Sequence, residues 1–425
     1  MTTRADALRT IWTAPALNRG PRWELVANAA LWPVAILLFT HRIVALALPG
    51  TITDDFTTVW AAARRFVARV PVYSENYTTV DPHYLYNPGA TLLLSPLGLF
   101  GSTEIIRPLF ILVNALAILG ALAWLTRLSG FTLTHPVFPG AIALGFATEA
   151  VTNTLTFSNI NGILLLGLVA FLAFLLRGPS LAAGVVLGLC ILIKPMFAPL
   201  IVLPLLRMNW GAVIAAGLVP VIFNVIAWPL TPGARDYIDV VVPYLGITRD
   251  YANSSLAGAA VYFGMPAWLH GGLFMIFAAA VLVAVVGLAR WRWSDEWMWA
   301  ATTAAVLLAG VCLLSSLGQA YYSMMLFPAV FTVARATSVF HTPTAWLGII
   351  LCLSPLSWMV YDNPVIGRWT NTFLPTAGWA IFIIATAVWA ATLALHRAAG
   401  SSVNEDNDAD GGTPHHDTEQ LQRLD

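Results

Sequence analysis

The sequence predicts an all-α polytopic membrane protein, and three observations lead to this fold class. Hydrophobic residues make up 58% of the 425 residues, whereas charged residues make up only 10%. The mean hydropathy of +0.76 is too high for a soluble globular chain. Apolar runs recur along most of the chain, and several are long enough to cross about 30 Å of hydrocarbon. Helices suit such runs because lipid offers the backbone no hydrogen-bond partners.

The apolar runs predict about twelve membrane spans. Several arginines precede the first run, and basic residues prefer the cytoplasmic side, so residues 1–24 are predicted to be a cytoplasmic N-terminus. Residues 25–397 form the predicted transmembrane domain. Residues 398–425 are rich in Ser, Asn, Asp and Gly and predict a disordered cytoplasmic tail. The predicted spans are 25–48, 105–126, 137–152, 160–176, 181–193, 196–206, 212–228, 267–288, 297–314, 323–334, 345–360 and 377–395.

Residues 49–88 form the first predicted outer loop, a long polar and aromatic stretch between two apolar regions. Apolar side chains recur there at helical spacing, while Arg64, Arg65 and Arg69 lie off that stripe, which predicts an amphipathic helix at the membrane interface. The apolar run 90–100 is about half the length of a span and is also expected at the interface. The members of the stripe are Phe56, Val59, Trp60, Ala63, Phe66, Val67 and Val70.

Asp54 and Asp55 begin this amphipathic helix, just outside the predicted membrane. Either acid, or Thr53, could cap the helix N-terminus. A carboxylate at this position also suits a general base that activates a hydroxyl group, and the two roles can coexist. The pair is therefore the leading candidate for catalysis.

Lys194 is the only lysine of the chain and is followed by Pro195, which ends a predicted span. An ionisable group at that depth is a functional candidate, and its charge suits a phosphate. Snorkelling of its ammonium to the interface is the alternative. Arg64, Arg65 or Arg249 could supply a second cation for the same phosphate.

Further polar groups in the outer loops are candidates for binding a sugar. Ordinary loop polarity, helix capping or interfacial anchoring of aromatic rings would explain the same residues. The candidates are Asn253, Ser254, Gln319, Tyr321, Tyr322, His83, Tyr86, Asn87 and Asn159. Three cysteines at spacings without a metal or disulfide pattern are predicted to be buried, and no metal site is predicted. The 21 basic and 21 acidic residues balance, which leaves no basic surface for nucleic acid.

Several motifs together resemble the polyprenyl-phosphate-sugar-dependent glycosyltransferases of the GT-C class. Within that class they are similar to the arabinofuranosyltransferase C family of mycobacterial and corynebacterial cell walls. The motifs are spread over most of the membrane part of the chain. They are ITDDF, VDPHYLYNPG, ATEAVTNTLTFSNING, LIKP, GITRDYANSSLAG, VYFGMPAWL and GQAYYSMMLFP.

The resemblance implies a GT-C fold and transfer of arabinofuranose from decaprenylphosphoryl-arabinofuranose. The acceptor would be the arabinan of arabinogalactan and lipoarabinomannan, branched through an α-(1→3) linkage at the periplasmic face of the plasma membrane. Asp55 matches the essential first-loop acid of the family, with Asp54 beside it. Related enzymes often have a histidine where this chain has Gln319, which leaves any histidine role at that turn in doubt.

The implied reaction is a single displacement with inversion, and it requires no cofactor. A divalent metal that bridges Asp54 and the phosphate is an alternative. A related polyprenyl-phosphate-mannose-dependent enzyme that makes phosphatidylinositol mannosides shares the architecture, so mannose is the alternative sugar. A lipid or sugar transporter is the rival class. Transporters usually carry charged groups near the bilayer midplane and internal repeats, which this sequence does not show.

Overall fold

The computed structural model describes residues 22–50, 55–79, 82–354 and 364–410. Every regular element within these ranges is helical, as predicted. The helices are α1 Arg22–Ala47 (π-helical from His41), α2 Asp55–Val67, α3 Pro88–Leu94, α4 Thr103–Leu128, α5 Val137–Ala147, α6 Glu149–Thr156, α7 Asn161–Arg177, α8 Ser180–Ile193, α9 Val202–Leu206, α10 Trp210–Ala227, α11 Val242–Gly246, α12 Leu256–Tyr262, α13 Ala267–Leu288, α14 Glu296–Leu314, α15 Phe327–Val330, α16 Pro343–Leu353 and α17 Pro364–Asp410.

Six helical segments in the described residues are long and apolar enough to cross a membrane, which confirms the polytopic class. They contain α1, α4, α10, α13, α14 and part of α17. Helix α14 lies at the centre of the protein, since 83% of its most apolar 18-residue stretch is buried. In α1 only 11% of the corresponding stretch is buried. Apolar side chains on α1, α10 and α13 face outward and suit contact with lipid. The remaining apolar helices span 10–17 residues, so the count of twelve spans stays a prediction.

Three predicted spans are broken in the structure. The span predicted at 137–152 is two helices, because Thr148 is extended and its hydroxyl accepts a hydrogen bond from Val151 at the start of α6. The span predicted at 196–206 begins as the 3₁₀ segment Pro195–Ile201, and that predicted at 323–334 alternates 3₁₀ and α turns. Prolines lie inside both segments, where they remove backbone donors.

Helix α2 forms where the amphipathic stripe predicted it. Phe56, Val59, Ala63 and Phe66 are buried as expected, whereas Val67 is exposed at the helix end. The run predicted to lie at the interface is likewise short, with α3 followed by the 3₁₀ turn Ser95–Leu99. This turn packs directly beneath α2.

Close backbone approach at Gly98 docks α2 on that turn. A Cβ atom added at Gly98 would lie 2.4 Å from the carbonyl oxygen of Ala63, so only glycine fits there without displacement. Two side chains of α2 extend the contact, since Trp60 Nε1 donates to Phe100 O over 3.0 Å and Arg64 donates to Gly101 O over 2.9 Å.

The burial of the three cysteines is confirmed, and the last helix is longer than the last predicted span. Cys190, Cys312 and Cys352 are free and buried, as predicted. Helix α17 ends at Asp410, and the disordered tail predicted from residue 398 stays a prediction. Residues 1–21 of the predicted N-terminus and 411–425 of the tail lie outside the described residues.

Replacing Gly98 with alanine is expected to push α2 away from the 3₁₀ turn. Overpacking of this kind costs ~1–3 kcal/mol. The measurement is the midpoint of thermal unfolding in detergent, which should fall. Gly101→Ala is the matched control, because a Cβ there meets nothing within 4 Å. Equal midpoints for the two variants would contradict the proposed docking.

Candidate active site

A cavity of about 490 Å³ opens beside the N-terminus of α2. Its walls come from the first-loop segment, the end of α8, the region before α12 and the turn after α14. Ten residues predicted from the sequence line this one cavity. They are Asp55, His83, Tyr86, Asn87, Asn159, Lys194, Arg249, Gln319, Tyr321 and Tyr322.

Asp55 is the first residue of α2 and is tied to the segment after α6. Its backbone N–H donates to Phe157 O over 3.0 Å. Its carboxylate oxygen Oδ2 accepts a short hydrogen bond from Asn159 Nδ2. Asp54 lies outside the described residues, so its role stays a prediction. The structure therefore describes one carboxylate on the cavity wall, and Asn159 is its partner.

Asn159 is placed by an unusual backbone turn at the end of α6. Ser158 has φ +51°, in the left-handed region, and costs roughly 1 kcal/mol there because it is not glycine. The turn is closed by Asn159 N donating to Thr154 O over 2.8 Å and by Ser158 N donating to Leu155 O over 3.0 Å. This hydrogen-bond pair is a Schellman cap. It directs the Asn159 side chain toward the cavity.

Lys194 follows the last residue of α8, and its side chain is only 9% exposed. Its ammonium donates to Asn159 Oδ1 at 3.0 Å, to Asn161 Oδ1 at 2.8 Å and to Tyr322 Oη at 3.4 Å. An ammonium has three donors, so these three oxygens occupy all of them. Sequence reasoning missed Asn161, although its position in the SNING motif two residues after Asn159 was a usable signal.

Tyr321 and Tyr322 form an aromatic wall around Lys194. They lie in the 3₁₀ turn Ala320–Leu326, and their rings meet edge to face with centroids 4.8 Å apart. The Lys194 ammonium lies 4.6 Å from the Tyr322 ring centroid and 5.6 Å from that of Tyr321. Ring quadrupoles attract a cation at these distances, which partly offsets the cost of burying the charge.

Arg249 is the second cation on the cavity wall. Its guanidinium lies over the rings of Tyr244 and Tyr251, 5.5 and 5.7 Å from their centroids. Within the described ranges, no carboxylate lies close enough to form a salt bridge with it. Arg249 thus presents a half-buried positive charge that is available to an anion in the cavity.

The sequence model of glycosyltransferase family 87 matches residues 84–316, which is more than half of the chain. The chain belongs to glycosyltransferase family 87. The matched region contains Asn159, Lys194 and Arg249, and membership decides against the transporter alternative.

Three relatives of this family 87 glycosyltransferase bear the name α-(1→3)-arabinofuranosyltransferase. The protein from Corynebacterium glutamicum is 53% identical over 376 residues, covering 88% of this chain and 90% of that protein. The protein from Mycobacterium tuberculosis H37Rv is 41% identical over 396 residues and 91% of each chain. The protein from Mycolicibacterium smegmatis is 40% identical over 368 residues, covering 86% of this chain and 85% of its own.

Two arginines of the family 87 enzyme that were predicted to contact the phosphate lie outside the cavity lining. The Arg64 guanidinium donates a hydrogen bond to Gly101 O and lies over the Trp60 ring. Arg65 pairs with Glu75 at 2.6 Å, and the other oxygen of Glu75 accepts from Tyr84 N at 2.8 Å. These contacts hold α2 and the first loop together. Sequence spacing could not show this, because Glu75 lies outside the helix.

Asn253 and Ser254 also have structural contacts in place of the predicted sugar contacts. Asn253 Nδ2 donates to Arg249 O and Ser316 O, and its Oδ1 accepts from Ser255 N and Gly318 N. Ser254 N donates to Gly318 O over 2.6 Å. Both side chains are buried outside the cavity lining. They join the loop that carries Arg249 to the turn after α14.

The first-loop candidates line the cavity, and two of them also have clear structural contacts. Asn87 caps α3 by accepting from Ala90 N and donates to Leu192 O. His83 Nε2 contacts Thr79 O at 3.1 Å. Burial raises the pKa of the Tyr86 phenol well above its ordinary value, and the negative charge of Asp55 adds to this effect. Tyr86 therefore stays neutral and can donate a hydrogen bond into the cavity.

The absence of a metal site and the alternative of a divalent metal at Asp54 both stay predictions. Among the residues described, no group of three or more His, Cys, Asp and Glu side chains could hold a metal ion. Asp54, the acid for which a metal role was left open, is outside that set.

Asn253→Ala is expected to destabilise the protein without changing its affinity for a sugar. The change leaves four backbone groups without their partner, and the hydrogen bonds of two of them, Ser255 N and Gly318 N, are buried. A buried group that stays unpaired costs ~1–3 kcal/mol. The measurement is the thermal unfolding midpoint together with the KM for acceptor. Asn76→Ala is the control, since Asn76 is exposed and its hydrogen-bond partners within the described residues are its sequence neighbours Thr78 and Thr79. An unchanged midpoint with a raised acceptor KM would restore the sugar-binding role.

Proposed function

We propose that this family 87 enzyme transfers arabinofuranose from decaprenylphosphoryl-arabinofuranose to arabinan, forming α-(1→3) branches in arabinogalactan and lipoarabinomannan. The observation that carries the proposal is the presence of Asp55, Lys194 and Arg249 on one cavity. Transfer from a sugar phosphate needs a base for the acceptor and positive charge for the departing phosphate. The names of three relatives, at 40–53% identity, support arabinofuranose as the sugar.

Asp55 acts as the general base in the proposed step. The 3-hydroxyl oxygen of the acceptor attacks C1 of the donor sugar and gives its proton to the Asp55 carboxylate. The bond from C1 to the phosphate oxygen breaks, and decaprenyl phosphate leaves with the electron pair. One displacement inverts C1. A lipid phosphate is already a good leaving group, so orientation and charge stabilisation are sufficient and no cofactor is required.

Arg249 is the leading contact for the phosphate, with Lys194 in support. The stacked guanidinium of Arg249 can offer paired donors to phosphate oxygens. All three donors of Lys194 already bind protein oxygens, so Lys194 contributes mainly its charge. Its longest hydrogen bond, at 3.4 Å to Tyr322, is the one that a phosphate oxygen could replace.

The proposed location is the periplasmic face of the plasma membrane, with both termini in the cytoplasm. Arginines before α1 and on alternate turns support this orientation, because basic residues are retained on the cytoplasmic side. The cavity then opens at the outer face, where a polyprenyl lipid donor and an arabinan acceptor can meet.

Purified protein given decaprenylphosphoryl-arabinofuranose and a short arabinan acceptor should form an α-(1→3) linkage, measured by mass spectrometry and linkage analysis. Asp55→Asn should reduce the rate at least ~10²-fold, because general base catalysis contributes about that much. Donor binding by the variant should stay near wild type. Transfer only from polyprenyl-phosphate-mannose would establish the mannosyltransferase alternative, and retained turnover in Asp55→Asn would refute the base assignment.

Arg249→Ala is expected to raise the donor KM about tenfold or more, since charge-assisted hydrogen bonds contribute roughly 1.5–3 kcal/mol. The measurement is initial rate against donor concentration. Arg64→Ala is the matched control, because it removes an arginine charge outside the cavity. Similar KM changes in both variants would show a general effect of charge in place of phosphate binding.

A further inference from the structure

We propose that Asn159 is a positioning residue that joins the base to the lysine and prevents them from forming a direct ion pair. The proposal replaces the predicted sugar contact of Asn159. It rests on the proposed function, in which Asp55 is the base. Four hydrogen bonds of one side-chain amide carry it.

The Asn159 amide has no hydrogen-bonding capacity left for a ligand. Its Nδ2 donates to Asp55 Oδ2 and, over 3.4 Å, to Tyr321 Oη. Its Oδ1 accepts from Lys194 Nζ at 3.0 Å and from the backbone N of Asn161 at 3.2 Å. A side-chain amide offers two donors and two acceptor lone pairs, so all four are in use. The side chain is also only 3% exposed, although it borders the cavity.

The charges on its two sides fix the direction of the amide. In the observed orientation the oxygen faces the Lys194 ammonium and the NH₂ group faces the Asp55 carboxylate. A flipped amide would set its NH₂ against the ammonium and its oxygen against the carboxylate. Both contacts would then be repulsive in a poorly solvated site. The left-handed turn at Ser158 holds the backbone in the matching position.

This arrangement benefits a general base. A carboxylate paired directly with an ammonium is a weaker proton acceptor, because the opposite charge stabilises its ionised form. With Asn159 between them, Lys194 is bound by neutral oxygens, and the group that faces Asp55 on this side is an amide. Lys194 is thus not neutralised by a carboxylate, and Asp55 is a stronger base than it would be in a direct ion pair with an ammonium.

Other titratable groups also influence Asp55. Lys194 at the end of α8, Tyr86 in the first loop, and Tyr321 and Tyr322 in the turn after α14 all interact electrostatically with it. His83 and Arg249 line the same cavity. The test therefore changes only residue 159 and leaves all of these groups in place.

The test compares Asn159→Asp and Asn159→Ser through the pH dependence of kcat for arabinofuranose transfer. Asn159→Asp introduces a carboxylate that pairs with Lys194 and repels Asp55, so the acid limb should move to higher pH by about one unit. Asn159→Ser is too short to bridge. It removes the hydrogen bond to Asp55 Oδ2, which alone would raise the carboxyl pKa, but it lets Lys194 approach Asp55. Because a direct opposite charge has the larger effect, the acid limb should move to lower pH with a smaller plateau. The donor KM should rise in both variants because Lys194 then pairs with a carboxylate, but by less than in Arg249→Ala, since Arg249 is intact.

Asn114→Ala is the matched control for loss of a buried asparagine. Asn114 is 1% exposed, bonds Phe110 O and Ile163 N, and lies outside the cavity lining. Its acid limb should coincide with that of the wild type. Opposite shifts in the two Asn159 variants support the proposal. Unchanged acid limbs, or shifts in the same direction, would overturn the proposal. If only one variant folds, the proposal stands or falls on whether that variant shows its predicted shift.

Failure of the proposed function would look different. A wild-type protein that uses only polyprenyl-phosphate-mannose would refute the arabinofuranose assignment, and the same pH comparison with that donor would still test Asn159. A wild-type protein active with arabinofuranose whose Asn159 variants keep the wild-type limb would refute this inference alone. A wild-type protein inactive with both donors would refute both.

Discussion

Burial of the Lys194 ammonium is the interaction on which the rest of the site depends. A charge with 9% exposure is tolerated only if nearby groups replace its hydration. Asn159, Asn161 and Tyr322 supply three oxygens, and two tyrosine rings supply their negative faces. These partners lie in the turn after α6, at the start of α7 and in the turn after α14. Their hydrogen bonds to one ammonium therefore hold these three parts of the chain together.

The interrupted helices supply the polar groups of this site. In a continuous helix at 137–152 the backbone groups would bond to one another within the helix. The break at Thr148 and the cap at Ser158 instead change the chain direction, so that Asn159 borders the cavity. The proline-rich segment after Lys194 has the same effect at the end of α8. Non-helical backbone is tolerated at membrane depth where it is buried in protein or lines a cavity. Helix α14, which is unbroken and mostly apolar, packs at the centre of the protein.

The first loop completes the cavity from the opposite side. Helix α2 is docked through Gly98, and the Arg65–Glu75 pair fixes the following segment. Asp55 begins α2, and in the docked position of this helix its carboxylate contacts Asn159. The region matched by family 87 contains the lysine half of the site but begins after Asp55. The longer similarity to the corynebacterial and mycobacterial relatives covers 86–91% of the chain.

The sequence by itself determined the all-α membrane class, the amphipathic helix at Asp55, and ten of the residues that line the cavity. It could do so because burial of apolar faces and the rarity of charge in lipid leave a strong local pattern. Tertiary structure alone decided what those residues contact. Arg64, Arg65, Asn253 and Ser254 are scaffold residues, and Asn161 belongs to the lysine site, because hydrogen bonds between segments far apart in sequence have no periodicity to detect. For the same reason, the joining of Asp55 to Lys194 through one amide could be seen only once the chain was folded.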